Sequence, residues 1–320
     1  MTNIDTGGRD RLTLAVLVQY RMATTAQIHL IISPDVRVEQ TRRRLAKLRE
    51  EGLIDRITLP QAGRTRVWHP TRYGAQIACE WPELRGRRPP RGAADRTAVR
   101  LKVGHGLTVT QTALAFLKDA RRRGDLCRPL DWIPGVHHPL SGGEAVIPDV
   151  LLCYQRRSTD GTNRTDGASG AEGTKGGVLL RAFVEVDRAT MGPERLAAKL
   201  GSYARLHSYA PAPVPRQQPF PEPAQETWRQ RYPLFPRLLF VLDGTGPTGV
   251  ETRINALRTA ARDIALAGFL REVPVLATPM TNLLQHGPAA PIWYPVQEPD
   301  HRVDWMHNRR RCHVVGCVIV

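Results

Sequence analysis

Residues 42–54, Arg42-Arg43-Arg44-Leu45-Ala46-Lys47-Leu48-Arg49-Glu50-Glu51-Gly52-Leu53-Ile54, read as the end of a helix that turns directly into a strand. Leu45 and Leu48 fall on one helical face, with Val38 and Thr41 a turn or two earlier, while the charged residues occupy the other face. Gly52 stands where a helix closes on a left-handed residue, so the predicted helix covers 36–51. Upstream, Ser33-Pro34-Asp35 marks a tight turn. Before it, Thr24-Thr25-Ala26-Gln27 has the spacing of a capping box that starts a helix carrying Ile28, Ile31 and Ile32. Residues 11–20, with Leu12, Leu14, Ala15, Val16, Leu17 and Val18, suit a buried first helix. Downstream, 53–59 and 64–69 alternate like two strands about Pro60-Gln61-Ala62-Gly63, and Thr71-Arg72-Tyr73-Gly74-Ala75 opens a further helix.

This order of helix, helix, turn, helix and hairpin is that of a winged helix-turn-helix, and residues 44–54 resemble the end of the recognition helix and the start of the wing in that superfamily. Such a fold presents its third helix to the major groove and its hairpin to the adjacent backbone. The charges agree with it. Arg37, Arg42, Arg43, Arg44 and Lys47 lie on or near the polar side of the third helix, and Arg64 and Arg66 lie at the wing, which makes them the expected DNA-binding residues. A solvated helix face is the plainer reading of such a charge run.

The whole chain is basic. Its 320 residues carry 46 Lys plus Arg against 30 Asp plus Glu, a net charge of +16, which favours a polyanionic partner because neutralising phosphates releases counterions. The cations are mostly arginine, with lysine only at 47, 102, 118, 175 and 199, a skew that GC-rich coding also produces. No run approaches the roughly 18 apolar residues of a membrane span, and Asp5, Arg9, Asp10 and Arg11 interrupt any signal-peptide pattern, so a cytoplasmic protein without membrane contact is expected. Cys79, Cys127, Cys153, Cys312 and Cys317 are odd in number and scattered, which argues against a disulfide framework or a structural zinc site. Cys312-His313 with Cys317 has no second ligand pair nearby, and the C-terminal Cys317-Val318-Ile319-Val320 matches a prenylation box only by a cheap four-residue pattern.

The length suits two domains. The first is expected over 9–80, then a basic linker over 81–97 rich in Arg and Pro, a mixed α/β domain over 98–295, and a basic tail over 296–320. Gly, Ser and Thr near 157–177, and Pro and Gln near 210–226, mark flexible insertions. Within the second domain, helices are expected over 105–122, 193–209 and 253–270, and strands over 145–152, 177–186 and 237–243. Asp149 on the first strand and Glu185 and Asp187 closing the second bring carboxylates toward one cleft. Hard oxygens of that kind suit Mg²⁺, which polarises a phosphodiester and acidifies an attacking water.

Pro148-Asp149 followed by Glu185-Val186-Asp187 resembles the PD-(D/E)XK nuclease superfamily, except that Asp187 stands where that motif has its lysine. The resemblance implies Asp149 and Glu185 as metal ligands, Asp187 as an assistant, and Lys199, about three helical turns further on, as a relocated catalytic lysine. The winged helix, the linker and Phe183-Val184-Glu185-Val186-Asp187-Arg188 through Lys199-Leu200-Gly201-Ser202-Tyr203 are together similar to the replication-relaxation family of plasmid and mobile-element proteins. That likeness spans most of residues 10–290 and implies a role around plasmid DNA replication or relaxation. Expected partners are double-stranded DNA and a second copy in a homodimer. Against the Mg²⁺-dependent endonuclease or nickase stands a non-enzymatic regulator or replication initiator with an inactive nuclease-like domain, and a regulator with a small-molecule sensor domain is a third reading. Tyr203 as a relaxase-type nucleophile lacks the histidine cluster such enzymes use, His137-His138 being the only adjacent pair. His105, between Gly104 and Gly106, is a candidate to reach a phosphate or the metal site, or a plain surface residue.

Overall fold

Helix α1 (Arg9–Tyr20) carries an unbroken apolar run from Leu14 to Val18 that passes round every side of the helix, which requires burial on more than one side. A computed structural model describes residues 8–59, 63–85, 96–157, 177–211, 225–298 and 301–306, and in it α1 divides its side chains between two cores. Leu14, Leu17 and Val18 face the N-terminal core, whereas Val16 and Tyr20 face a core shared with the rest of the chain. After β1 (Ala23–Thr24), helix α2 (Thr25–Ile32) starts with the expected reciprocal capping box between Thr24 and Gln27. Helix α3 (Val38–Glu50) ends as expected, with Gly52 at φ 71° and the Leu53 and Gly52 amides bonded back to the carbonyls of Leu48 and Arg49. Strands β2 (Ile54–Leu59) and β3 (Thr65–Pro70) pair antiparallel with β1 at the far edge, and α4 (Arg72–Cys79) follows. Residues 60–62 of the expected turn lie outside the described residues.

Helix α5 (Arg96–Arg123) is longer than the expected 105–122, because Gly104 and Gly106 sit inside it where neighbouring groups approach too closely for a side chain. Strand β4 (Trp132–Pro134) and the small ribbon of β5 (His138–Pro139) and β6 (Ala145–Val146) lead to β7 (Val150–Arg156). The single strand expected over 145–152 is thus two strands interrupted at Pro148, which has no amide to give to a ladder. Next come β8 (Val178–Asp187), α6 (Pro193–Ser208), β9 (Arg237–Leu242) and α7 (Pro247–Ala260). After these follow α8 (Ala267–Glu272), β10 (Val275–Pro279), α9 (Met280–His286) and β11 (Tyr294–Pro295). The helix expected over 253–270 is α7 plus α8, separated where the Asp263 carboxylate caps the Ala265 amide in place of a continued helical bond.

One six-stranded mixed sheet, β11-β10-β9-β8-β7-β4, organises this half. Strands β8, β9 and β10 run parallel, and β7 antiparallel to β8. Alternation along each strand divides the side chains: Leu152, Ala182, Val184, Val186, Leu239 and Val241 point toward α5, and Leu151, Phe183, Leu238 and Phe240 toward α6, α7 and α8. The chain is therefore a mixed α/β protein.

The two halves are joined tightly. Gln19 donates to the carbonyls of Leu130 and Trp132, Tyr20 to that of Pro129, and Arg121 to those of Leu30 and Ile31, while Thr110 reaches the Met22 carbonyl. Phe116, fully buried, touches Trp132, Trp293 and Trp305 at ring separations of 5.8, 6.4 and 5.4 Å. Trp305 belongs to the stretch expected as a basic tail, yet 301–306 returns to the core through the pairing of Val303 with Trp293. The rest of that tail, with Cys312, His313 and Cys317, most of both insertions, and linker residues 86–95 lie outside the described residues. Cys79, Cys127 and Cys153 are not joined in disulfides.

Candidate functional site

The register of β7 on β8 sets Val150 opposite Val184, which places Asp149, just ahead of β7, across from Glu185. Both acids thereby reach the same end of the sheet, where the parallel strands β8 and β9 finish. Helix α6 begins after a five-residue loop beyond β8 and runs back over it, so Lys199 and Tyr203, one helical turn apart, both face Glu185. The Lys199 ammonium donates to Glu185 Oε2 and the Tyr203 hydroxyl to Oε1, each at 2.5 Å. Asp149 accepts the Val186 amide on Oδ2 at 2.8 Å, and its Oδ1 lies 3.2 Å from His105 Nε2 on α5.

The electrostatics follow from burial. The Glu185 carboxylate is 3 % exposed. Burial pushes its pKa up to about 7 against the pull of Lys199, and Asp149 alongside adds to the rise. Burial also works to raise Asp149, but the His105 hydrogen bond, Lys199 and the Val186 amide together hold it below the usual carboxylate range. For Lys199 the same burial disfavours the charge, and the two acids override it and keep the ammonium protonated. Burial and the neighbouring Glu185 carboxylate keep the Tyr203 hydroxyl protonated, and the residue is 1 % exposed. A hydroxyl so enclosed and already donating to Glu185 is a packing and orienting group rather than an accessible nucleophile.

A cavity of about 230 Å³ opens over this cluster, lined by His105, Asp149, Arg188 and Lys199 among others. Asp187 borders it too, but its oxygens are engaged: Oδ2 accepts the Arg253 guanidinium at 2.6 Å and Oδ1 the Ala189 amide at 3.1 Å. Arg253 in turn binds the Met191 carbonyl, so Asp187 anchors the loop between β8 and α6 where the nuclease motif would carry its lysine. A larger hollow of about 490 Å³ between α3 and β2, lined by Arg49, Asp55, Arg56 and Trp68, holds no comparable acid–lysine pairing.

Among the described residues no group of three His, Cys, Asp or Glu side chains stands together as a metal-binding cluster. Mg²⁺ does not need one, since it takes one or two carboxylates and completes its shell with water and substrate oxygens. Asp149 adds to the rise of Glu185, a repulsion that a divalent cation would relieve, but both Glu185 oxygens already accept from Lys199 and Tyr203, so an ion held by these two acids would have to displace one of those donors.

The expected DNA-contacting residues divide into two groups. Arg37 just ahead of α3, Arg43 on it, and Arg64 and Arg66 at the hairpin are exposed. Arg42 is exposed and paired to Glu39 one turn back. Arg44 and Lys47, in contrast, turn inward to Asp10 of α1, at 2.6 and 3.4 Å. They tie α3 to α1, and the sequence gives no sign of it because Asp10 is 34 residues from Arg44. His138 is buried against the Tyr232 hydroxyl at 2.8 Å, and burial holds its pKa down to about 4, so it serves packing.

The fold and this cluster define a mixed α/β protein with a buried carboxylate–lysine site at the ends of its parallel strands, packed through a shared core against N-terminal helices and a hairpin. A family model described as replication-relaxation matches residues 14–221, more than half of the chain and inclusive of Asp149, Glu185, Arg188, Lys199 and Tyr203. The chain belongs to the replication-relaxation family, and membership supports a role in plasmid or mobile-element replication or relaxation. No curated protein sequence matches it significantly. Among the described residues no helix is long and apolar enough to cross a membrane.

Proposed function

We propose that the chain binds double-stranded DNA through a winged helix over residues 9–80 and opens phosphodiester bonds at a PD-(D/E)XK-like site in the domain over 98–295. The observation that supports this reading is the Lys199 ammonium on the buried Glu185, with Asp149 on the adjacent strand and both Asp149 and Lys199 lining one cavity. It supplies the cation that Asp187 cannot, from α6 instead of β8. Mg²⁺ held by Asp149 and Glu185 would supply an acidified water and a polarised phosphoryl oxygen. Lys199 meets the negative charge that grows on the phosphate as water attacks, in a water-poor setting where such a charge counts most. Tyr203 and the Val186 amide fix the two carboxylates, and His105, half exposed beside Asp149, is the group assigned to protonate the departing sugar oxygen.

The pH dependence tests this reading. Glu185 binds a cation only when ionised, and its carboxyl is held at about 7. Nicking of supercoiled plasmid in Mg²⁺ is therefore expected to fall about tenfold per pH unit below 7 and to level off above 8. A rate that is flat from pH 5.5 to 8.5 contradicts the assignment of Glu185.

The exposed arginines give a second test. Arg43→Ala is expected to lower the slope of log affinity against log salt by about 1 for duplex DNA. Arg44→Ala is expected to loosen α1 from α3 and to lower the melting temperature while leaving that slope within error. Equal slopes for wild type and Arg43→Ala remove α3 from the DNA interface.

The enclosure of both Glu185 oxygens by Lys199 and Tyr203 favours one alternative, a DNA clamp in which the ion pair is structural and no bond is cut.

A further inference from the structure

Arg188, the residue after the acid-x-acid segment, is a cation of the cavity to which the chemistry above gives no work. Its surroundings are shaped around it by two glycines from different elements. A side-chain carbon added at Gly104, inside α5, would lie 2.8 Å from the Arg188 guanidinium carbon and closer still to one of its nitrogens. One added at Gly244, after β9, would lie 2.5 Å from the Arg188 carbonyl oxygen, and Gly244 holds φ at 74°, where other residues are strained. Ala189 follows at φ 55°, a left-handed conformation that alanine adopts at a cost. The Arg188 Nε is buried and makes no hydrogen bond among the described residues. Asp187, its neighbour in sequence, is taken by Arg253.

A guanidinium given its own slot, and left without a carboxylate, suits a planar bidentate anion. The cavity it lines already carries Lys199 and His105, and the partner class proposed above is a polyanion.

We propose that Arg188 grips a backbone phosphate of the DNA strand in this cavity, next to the Asp149–Glu185–Lys199 cluster. The proposal rests on the DNA-cutting reading for its ligand but not for its test. Binding of a fluorescent 20-base-pair duplex is measured by anisotropy in EDTA, where no cutting occurs, from 50 to 300 mM NaCl, for wild type, Arg188→Gln and Gly104→Ala. Arg188→Gln is expected to bind roughly tenfold more weakly at 100 mM salt and to lose about one unit of salt slope. Gly104→Ala keeps every charge and favours helix, yet pushes the guanidinium from its slot, so it is expected to show the same loss with an unchanged or higher melting temperature. Arg188→Lys is expected to recover the slope but only part of the affinity, because an ammonium is a single point donor. An unchanged slope in Arg188→Gln, or full affinity in Gly104→Ala, overturns the proposal. If the slope falls as expected but the wild type never nicks DNA, Arg188 stands as a phosphate contact and the cutting reading fails. If the wild type nicks and the slope is unchanged, only the Arg188 assignment fails.

Discussion

Lys199→Met is expected to slow nicking of supercoiled DNA by about 10³-fold while leaving duplex affinity in EDTA within twofold. The size follows from what the residue does. It is the cation on Glu185, its side chain is only 34 % exposed, and it lines the cavity with Asp149. Methionine keeps the length and apolar packing of the lysine stem, so the loss falls on charge and not on α6. Lys199→Arg tests geometry: it restores charge in a broader fork and is expected to recover only a small part of the rate. Nicking by Lys199→Met at the wild-type rate removes the lysine from the chemistry. A loss accompanied by a melting temperature lowered by several degrees identifies the ion pair as structural.

Phe116→Ala is expected to cost about 3 to 5 kcal/mol and to lower the melting temperature by about 10 °C. Phe116 is fully buried on α5 among Trp132, Trp293 and Trp305, a cluster that also contains Val16, Tyr20 and Ile31 from the first two helices. Since that core is common to both halves, the loss is expected in one cooperative transition seen equally by calorimetry and by tryptophan fluorescence. Two separated transitions, with only the later one moved, contradict a shared core and restore the picture of two domains on a linker. The single transition has a functional corollary. Under the proposed reading, a DNA-binding face held rigidly to the site would fix where along the duplex the site works.

The local elements were legible because their signals are local. Thr24 with Gln27, and Leu48 with Gly52, are short-range caps whose residue types admit few other readings, and both form as the spacing predicts. Asp149, Glu185 and Lys199 were legible through the motif they resemble, and strand register and helix return bring them together. The joining of the two halves was not legible. Most of its hydrogen bonds end on backbone carbonyls of Leu30, Ile31, Pro129, Leu130 and Trp132, acceptors that every residue offers. For the same reason helix periodicity put Arg44 and Lys47 on the polar face but gave no hint that Asp10 holds them. The helix expected to start at 105 begins at Arg96, and Gly104 and Gly106 lie inside it, where Arg188 and Met22 approach closely. His105 was read as a candidate to reach a phosphate or the metal site, or as a plain surface residue, and its ring nitrogen lies at hydrogen-bond distance from Asp149. Strand β10, helix α9 and the return of Trp305 went unread because their segments are short and their partners distant in sequence.

The most direct test of the central claim is incubation of the purified full chain with supercoiled plasmid in Mg²⁺ and, in parallel, in EDTA, followed on a gel for conversion of supercoiled to open circles. Conversion that requires Mg²⁺ and disappears in EDTA is the predicted result, and it makes the Asp149–Glu185–Lys199 cluster a working phosphodiester site. Retention of the plasmid without any open circles, in Mg²⁺ as in EDTA, contradicts it and leaves a DNA clamp built on a nuclease-like frame.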